Sequence, residues 1–153
     1  MNGESFITEE LRNMIGKEAA PEVWEIEKGQ IKRLAQAVGD PNPLWQDEDY
    51  ARKSRHDNII GSPTFMIDNG LVKFVDKLTG MFPLVGNING GTEIEYYVPI
   101  KPGDTITTVA KLSDIEEKFN KNGDRLLFLH VEVSHTNQDG VLAMKCHNIF
   151  IWR

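Results

Sequence analysis

The stretch SPTFMIDNGLVKFVDKLTG, residues 62–80, has the most regular pattern in the chain. Several of its residues recur at helical spacing and would share one face, namely Ile67, Gly70, Leu71, Phe74, Val75 and Leu78. Ser62 is a good N-cap, Pro63 suits the first helical position, and Gly80 is a good C-terminal stop. The pattern predicts a buried helix of about four to five turns over residues 62–80.

The segments that follow this helix are rich in β-branched and aromatic residues. They are residues 90–100, 104–119, 124–136 and 141–152, and they are separated by KPGD, NKNGD and NQDG. Asn-Gly and Asp-Gly pairs are strong hairpin signals. Within residues 127–133, Leu and Val alternate with Phe, His and Glu, which gives a strand two different faces. These features predict an antiparallel meander.

The segments that precede the long helix are shorter and mixed. Three of them have the composition of short helices, namely TEELRNMIG (8–16), KGQIKRLAQAVG (28–39) and DEDYARKS (47–54). A fourth, EVWEIE (22–27), has the composition of a strand. Helices followed by a run of strands predict an α+β fold, in which a curved antiparallel sheet wraps the long central helix. We expect residues 1–153 to form one domain, and the open sheet edges predict pairing with a second copy, so that the protein is at least dimeric.

Composition narrows the classes of function. The 153 residues carry a net charge of -6, which argues against broad electrostatic binding to nucleic acid or to an anionic membrane. No stretch approaches the run of about 18 apolar residues that a membrane-spanning helix needs. Cys146 is the sole cysteine, so no intrachain disulfide is possible. We therefore expect a soluble cytoplasmic protein.

The turn GDPNPLW, residues 39–45, concentrates polar and rigid residues between two predicted helices. Asp40 and Asn42 suit turns for local reasons, because their side chains bond to nearby backbone N–H groups. A ligand site is the alternative interpretation, and the sequence alone leaves both open.

At this point the chain resembles the MaoC-like hydratases and dehydratases of the hot-dog fold. The segments that carry the resemblance are LAQAVGDPNPLWQDEDYARKS (34–54), NIIGSPTF (58–65), NGGTEIEYYVPIKPGDTI (89–106) and TNQDG (136–140). In order and at family spacing, they cover roughly residues 15 to 152. The residues of the second and third segments most resemble the branch that forms the N-terminal half of two-domain members.

The resemblance implies a fold, a ligand and a reaction. Two hot-dog domains pair to make a continuous sheet and a shared acyl-CoA tunnel, and water adds reversibly to a trans-2-enoyl thioester. In active members, an Asp and a His of a D-x-N-P-x-H motif hold and activate the water. Asp40 and Asn42 match that motif here, but Trp45 stands where the His belongs. By the same resemblance, Gly61, Ser62 and Thr64 would hold the thioester oxygen at the start of the long helix.

The tryptophan leaves three hypotheses open. Indole donates a hydrogen bond but cannot shuttle a proton near neutral pH, and losing an acid/base group costs about 10²–10⁴ in rate. The chain is either an acyl-CoA hydratase or dehydratase, or a subunit of one, with Asp40 and Asn42 at the water site. Alternatively, it is a non-catalytic acyl-CoA-binding partner of an active hot-dog subunit. A thioesterase is the third option, for which the sequence shows no distinct motif.

Basic residues and histidines supply the remaining candidates. Arg52, Lys53 and Arg55 form a cluster suited to the phosphates of CoA, with a solvated helix end as the alternative. His56 precedes the long helix and is the best replacement for the missing His, although a solvated or structural role is the simpler interpretation. The histidines do not show metal-ligand spacing, so the sequence predicts neither a metal nor another cofactor. The expected partners are an acyl-CoA thioester and either a second copy or a catalytic hot-dog subunit.

Overall fold

The computed structural model describes residues 5–84 and 86–153. Its α-helices are α1 (Glu9–Arg12), α2 (Lys28–Ala37), α3 (Glu48–Lys53) and α4 (Leu71–Thr79), and a short 3-10 helix spans Pro43–Trp45. Its strands are β1 (Glu22–Glu25), β2 (Asn87–Tyr96), β3 (Thr105–Phe119), β4 (Arg125–Thr136) and β5 (Leu142–Trp152). The predicted α+β class is confirmed.

The strands form one antiparallel sheet in the order β1-β3-β4-β5-β2. The two tight hairpins lie where the Asn-Gly and Asp-Gly signals predict them. The Asn120 N–H donates to the Asp124 carbonyl (2.9 Å) before β4, and the Asn137 N–H donates to the Val141 carbonyl (2.9 Å) before β5. At Gly123, φ is 84°, a left-handed conformation that favours glycine in such a turn. Local turn chemistry therefore sets the register of β3, β4 and β5. The predicted meander was wrong for β2, which pairs with β5 and not with the next strand along the chain, β3.

The hydrophobic core lies between one face of the sheet and α4. Alternate residues of β4 point into it, and Leu127, Leu129, Val131 and Val133 are fully buried. From α4, a single stripe of side chains covers that face of the sheet, and its members are Leu71, Phe74, Val75 and Leu78. A helix with one apolar stripe needs such a sheet, so this packing fixes the position of the central helix.

The central helix is shorter than the sequence predicts. Residues 63–70 form consecutive turns, and α4 begins only at Leu71. Gly70 breaks the predicted helix because its φ is 75°, a left-handed value that no α-helical residue adopts. A Cβ at Gly70 would lie 2.5 Å from Thr108 Cγ2, so the backbone approaches β3 where a side chain has no room. The prediction of one helix over residues 62–80 was wrong in its first half.

The described helices are all short. Within residues 5–84 and 86–153, none combines the length and the hydropathy that a membrane-crossing helix requires.

Candidate functional site

A cavity of about 380 Å³ opens beside the end of β2. Its wall is formed by the turn after α2, by residues 55–66, and by the segment that joins β2 to β3. Much of the wall is apolar and comes from Leu44, Ile60, Phe65, Met66, Val98, Ile100 and Met144. No aspartate or glutamate of the described chain lines it. An apolar pocket with a few polar groups is the usual form of a small-molecule site.

The turn at residues 39–45 is held together by its own side chains. Asp40 Oδ1 accepts a hydrogen bond from the backbone N–H of Asn42 (3.0 Å), and Asn42 Oδ1 accepts one from the N–H of Leu44 (3.0 Å). The side-chain amide of Gln46 donates to the carbonyl of Asp40. Asp40 and Asn42 are half-buried, and the cavity wall of the described residues includes neither. Their observed contacts are those of turn-forming residues.

Trp45 ends this turn and does line the cavity. Its side chain is buried, with 7% relative exposure, and packs into the hydrophobic core. The indole Nε1 has no hydrogen-bond partner among the described residues. The residue at the expected catalytic position therefore offers an aromatic wall and one N–H donor, and it offers no proton acceptor.

The segment predicted to hold the thioester oxygen is not a helix N-terminus, which corrects the sequence-based expectation. Gly61 and Ser62 line the cavity, whereas Thr64 is exposed and does not. The N–H of Gly61 already donates to the carbonyl of Ile100 (2.8 Å), and Pro63 has no N–H. Ser62 is buried, and its Oγ has no partner among the described residues. The donor that this segment offers is therefore a hydroxyl and not a row of helix N–H groups.

Arg55 and His56 lie at the cavity, and a hydrogen bond joins them. Arg55 Nε donates to His56 Nε2 (3.2 Å), so that ring nitrogen is an acceptor. Lys101 Nζ donates to the backbone carbonyl of His56 (2.9 Å), which ties this loop to the segment between β2 and β3. The structure thus brings one predicted cation and the candidate replacement histidine to the same cavity.

The other two predicted cations lie apart from the cavity wall. Arg52 and Lys53 are exposed in the last turn of α3. A guanidinium nitrogen of Arg52 lies 3.7 Å from the carboxylate of Asp49, a loose and exposed ion pair. The predicted cluster is therefore divided, with Arg55 facing the cavity and the other two on the helix surface.

Two tyrosines at the end of β2 line the cavity, and the sequence interpretation missed both. Tyr96 Oη donates to the carbonyl of Pro63 (2.7 Å), and Tyr97 Oη donates to the carboxylate of Glu95 (2.7 Å). Burial raises the pKa of Tyr96, and the hydrogen bond to Glu95 raises the pKa of Tyr97, so both phenols keep their protons near neutral pH. The signal in the sequence was an aromatic pair directly before Val-Pro, where an alternating strand ends.

Comparison with known proteins places the chain in a family. The model of the FAS1-like, dehydratase domain region matches residues 13–146. The chain belongs to this family. A UPF0336 protein of Thermobifida fusca is 28% identical over 128 residues, which cover 80% of this chain and 81% of that protein.

Solved structures show the fold of this FAS1-like dehydratase-region domain. The HadBC (3R-hydroxyacyl-ACP dehydratase) complex of Mycobacterium tuberculosis superposes with a TM-score of 0.73, at 20% identity over 90% of this chain and 96% of that one. The MaoC-like dehydratase of Rhodospirillum rubrum gives a TM-score of 0.64, at 23% identity over 91% and 92%. The predicted hot-dog fold and the resemblance to MaoC-like proteins are confirmed.

Proposed function

We propose that this hot-dog chain is the acyl-thioester-binding subunit of a hydratase or dehydratase, and that a partner hot-dog subunit supplies the catalytic acid/base pair. The observation that carries the proposal is the apolar cavity whose wall contains Trp45 but not Asp40. The cavity thus offers a surface for an acyl group, and among the described residues its wall holds no assembled acid/base pair to move a proton.

The lining of the cavity supports an acyl group as the ligand. Leu44, Ile60, Phe65 and Met66 offer apolar contact, and burying each methylene of a ligand against such a surface contributes about 0.8 kcal/mol. Arg55 lies at the same cavity, and its Nε donates a hydrogen bond to His56. The terminal N–H groups of the same guanidinium are further donors that suit a phosphate. That arrangement suits an acyl chain in the cavity with a phosphate-bearing carrier beside it. Arg52 and Lys53 are then secondary phosphate contacts on the neighbouring helix.

The missing proton relay supports a binding role over independent catalysis. Hydration requires a group that takes a proton from water and a group that protonates the α-carbon. Trp45 cannot accept a proton, the Asp40 carboxylate bonds within its own turn, and His56 Nε2 accepts from Arg55. A thioesterase would need a carboxylate beside the carbonyl carbon, and no described residue of that type lines the cavity.

The exposed edge of the sheet supports a partner subunit. Among the described strands β2 pairs only with β5, and it carries the exposed apolar side chain of Ile88. An edge strand with exposed apolar side chains is suited to pairing with another sheet. The similar structure from Mycobacterium tuberculosis is itself a complex, which agrees with a heteromeric assembly for this chain.

Calorimetric titration with acyl-CoA thioesters of increasing chain length tests the binding role. If the cavity holds the acyl group, affinity should rise from acetyl-CoA to hexanoyl-CoA by about two- to fourfold per methylene. Ile60→Trp fills the cavity and should abolish this dependence. Val38→Trp is the matched control, because Val38 is 60% exposed at the end of α2 and lies outside the cavity wall. Equal affinity for free CoA and hexanoyl-CoA would contradict the proposal.

A further inference from the structure

Tyr96 is the last residue of β2, the strand at one edge of the sheet. It lies directly opposite Met144 of β5, and residues that oppose each other in an antiparallel pair project from the same face. Met144 is buried on the core-facing side of the sheet and lines the cavity, as Tyr96 does. Tyr96 therefore belongs to the cavity wall on the side of the open sheet edge.

One hydrogen bond ties this tyrosine to the opposite part of the wall. Its Oη donates to the carbonyl of Pro63 (2.7 Å). Pro63 lines the same cavity and begins the run of turns that leads to α4. The side chain of Tyr96 thus spans from the sheet edge to the segment before the central helix.

Tyr96 is far less supported than much of the wall around it. Its relative exposure is 55%, whereas the side chains of Trp45, Met66, Ile100 and Met144 in the same wall are buried. Exposed side chains change rotamer rapidly, and a single hydrogen bond shifts such an equilibrium by only about two- to tenfold. The ring of Tyr96 can therefore leave the wall without disturbing the core, and its bond to Pro63 determines how often it does so.

A second cavity follows the first one along β2. Its volume is about 210 Å³, and its wall contains Thr92 of β2 together with the apolar side chains of Ile67, Leu71, Val75 and Phe150. On the core-facing side of β2, Ile94 separates Thr92 from Tyr96, which is the β2 residue in the wall of the first cavity. An acyl chain too long for the first cavity would pass Tyr96 to reach the second.

We infer that Tyr96 sets the length of the acyl chain that this protein accepts, as a gate that the hydrogen bond to Pro63 holds closed. The inference rests on the proposed function and adds a specificity-determining residue to it. With the gate closed, a ligand fills the first cavity alone. A longer ligand binds only to molecules whose gate is open, so its apparent affinity falls in proportion to the fraction of open molecules.

Calorimetric titration with acyl-CoA thioesters from butanoyl-CoA to dodecanoyl-CoA tests the gate. In the wild-type chain, affinity should rise with acyl length and stop rising once the first cavity is full. Tyr96→Phe keeps the ring and removes its bond to Pro63. It should strengthen binding of the ligands beyond that length by about two- to tenfold and leave the shorter ligands unchanged.

Tyr97→Phe is the matched control. Tyr97 also lines the cavity, but its hydroxyl donates to Glu95 on the same stretch of chain and does not tie two parts of the wall together. This variant should bind every ligand as the wild-type chain does. Tyr96→Ala, which removes the ring as well, should let affinity continue to rise through dodecanoyl-CoA.

The outcomes separate this inference from the proposed function. Chain-length profiles of Tyr96→Phe and Tyr96→Ala that superpose on the wild-type profile would overturn the gate while the acyl-binding role stands. An equal gain for every ligand would also overturn it, because a gate acts only on ligands that have to pass it. Affinity that is independent of acyl length in the wild-type chain and in all variants would overturn the proposed function together with the inference.

Discussion

Trp45 and Asp40 differ in what they contribute to the cavity. Trp45 lines the cavity and packs into the core, whereas the carboxylate of Asp40 accepts a hydrogen bond inside its own turn. A catalytic pair needs both groups on one water, so an imidazole at residue 45 would still lack its partner.

Trp45→His should therefore not create a hydratase in this chain. The variant should also unfold more easily, by about 1–3 kcal/mol, because a smaller ring leaves a gap in the core. An enoyl-CoA hydration assay and urea denaturation measure the two effects. A rate increase in Trp45→His that disappears in the double variant with Asp40→Asn would show that the two residues do share a water.

His135 predicts a specific dependence of stability on pH. It is fully buried, its Nδ1 lies 2.9 Å from Thr108 Oγ1, and burial lowers its pKa from 6.5 to about 4. The unfolded chain binds the proton more readily, so stability is complete above the unfolded pKa and falls as the pH drops from 6.5 toward 4. By about pH 4.5 the loss attributable to this residue should be roughly 2 kcal/mol.

His135→Gln should remove that component of the pH dependence. Urea denaturation at about pH 7 and about pH 4.5 would compare the variant with wild type, so that changes common to both cancel. His56→Gln is the matched control, because His56 is only half-buried and lies outside the core. An identical pH dependence in wild type and His135→Gln would show that the pKa of His135 is the same in the folded and unfolded chain, which contradicts this prediction.

At the scale of elements, Gly70 determines where the central helix begins. Gly70→Ala should destabilise the fold by about 3 kcal/mol, because a left-handed alanine costs about 1–2 kcal/mol and its Cβ would contact Thr108. Gly123→Ala is the matched control. Its φ of 84° is equally unfavourable, but no atom of the described residues lies within 4 Å of the added Cβ, so it should lose only about 1–2 kcal/mol.

Thr108→Ser supplies the rescue experiment for this contact. It removes the methyl group that a Cβ at residue 70 would meet and keeps the hydroxyl that bonds to His135. Thermal or urea denaturation should show the Gly70→Ala, Thr108→Ser double variant to be more stable than Gly70→Ala combined with the wild-type threonine. Equal losses for Gly70→Ala and Gly123→Ala would mean that the contact with β3 does not matter.

The elements also show what the sequence could predict. The β-hairpins were predictable because Asn-Gly and Asp-Gly act through neighbouring residues, and alternation in β4 records which side faces the core. The break in the first half of the long helix was not predictable, because the backbone of Gly70 lies against Thr108, which belongs to another element. The sequence Asp-Asn-Gly directly before Leu71 is typical of a turn. The apolar residues on both sides of it have helical spacing, however, and therefore favoured one continuous helix.

The candidate site was less predictable for the same physical reason. Three residues that the resemblance predicts for the ligand site do line the cavity, namely Arg55, Gly61 and Ser62. Asp40 and Asn42 suit a turn and a ligand site equally by type, and only the hydrogen bonds show what they contact here. Whether these residues bind a ligand stays a prediction.

At the scale of the whole molecule, one edge of β2 pairs with no other described strand, and this edge predicts an assembly larger than one chain. Ile88 is 53% exposed there, which is costly on a strand that ends a sheet. Sedimentation at micromolar concentration should give a species of at least twice the chain mass of 17.3 kDa. Ile88→Lys should shift it toward the monomer. Val23→Lys is the control on the opposite edge, where Val23 is 63% exposed on β1 and should tolerate the charge.

A single 17.3 kDa species of the wild-type chain would contradict self-association through β2. The wild-type chain could instead be a monomer that binds a hot-dog subunit with an intact D-x-N-P-x-H motif. If Ile88→Lys abolished that binding, the edge of β2 would be the interface of a heteromer.

The central claim is that this molecule binds acyl thioesters but does not catalyse their hydration alone. The most direct test is hydration of crotonyl-CoA by the purified chain, before and after addition of a hot-dog subunit with an intact D-x-N-P-x-H motif. We predict a rate near that of the uncatalysed reaction for the chain alone, and turnover only when the complementary subunit is present. Turnover by the chain alone at about 1 s⁻¹ or faster, abolished by Asp40→Asn, would contradict the account.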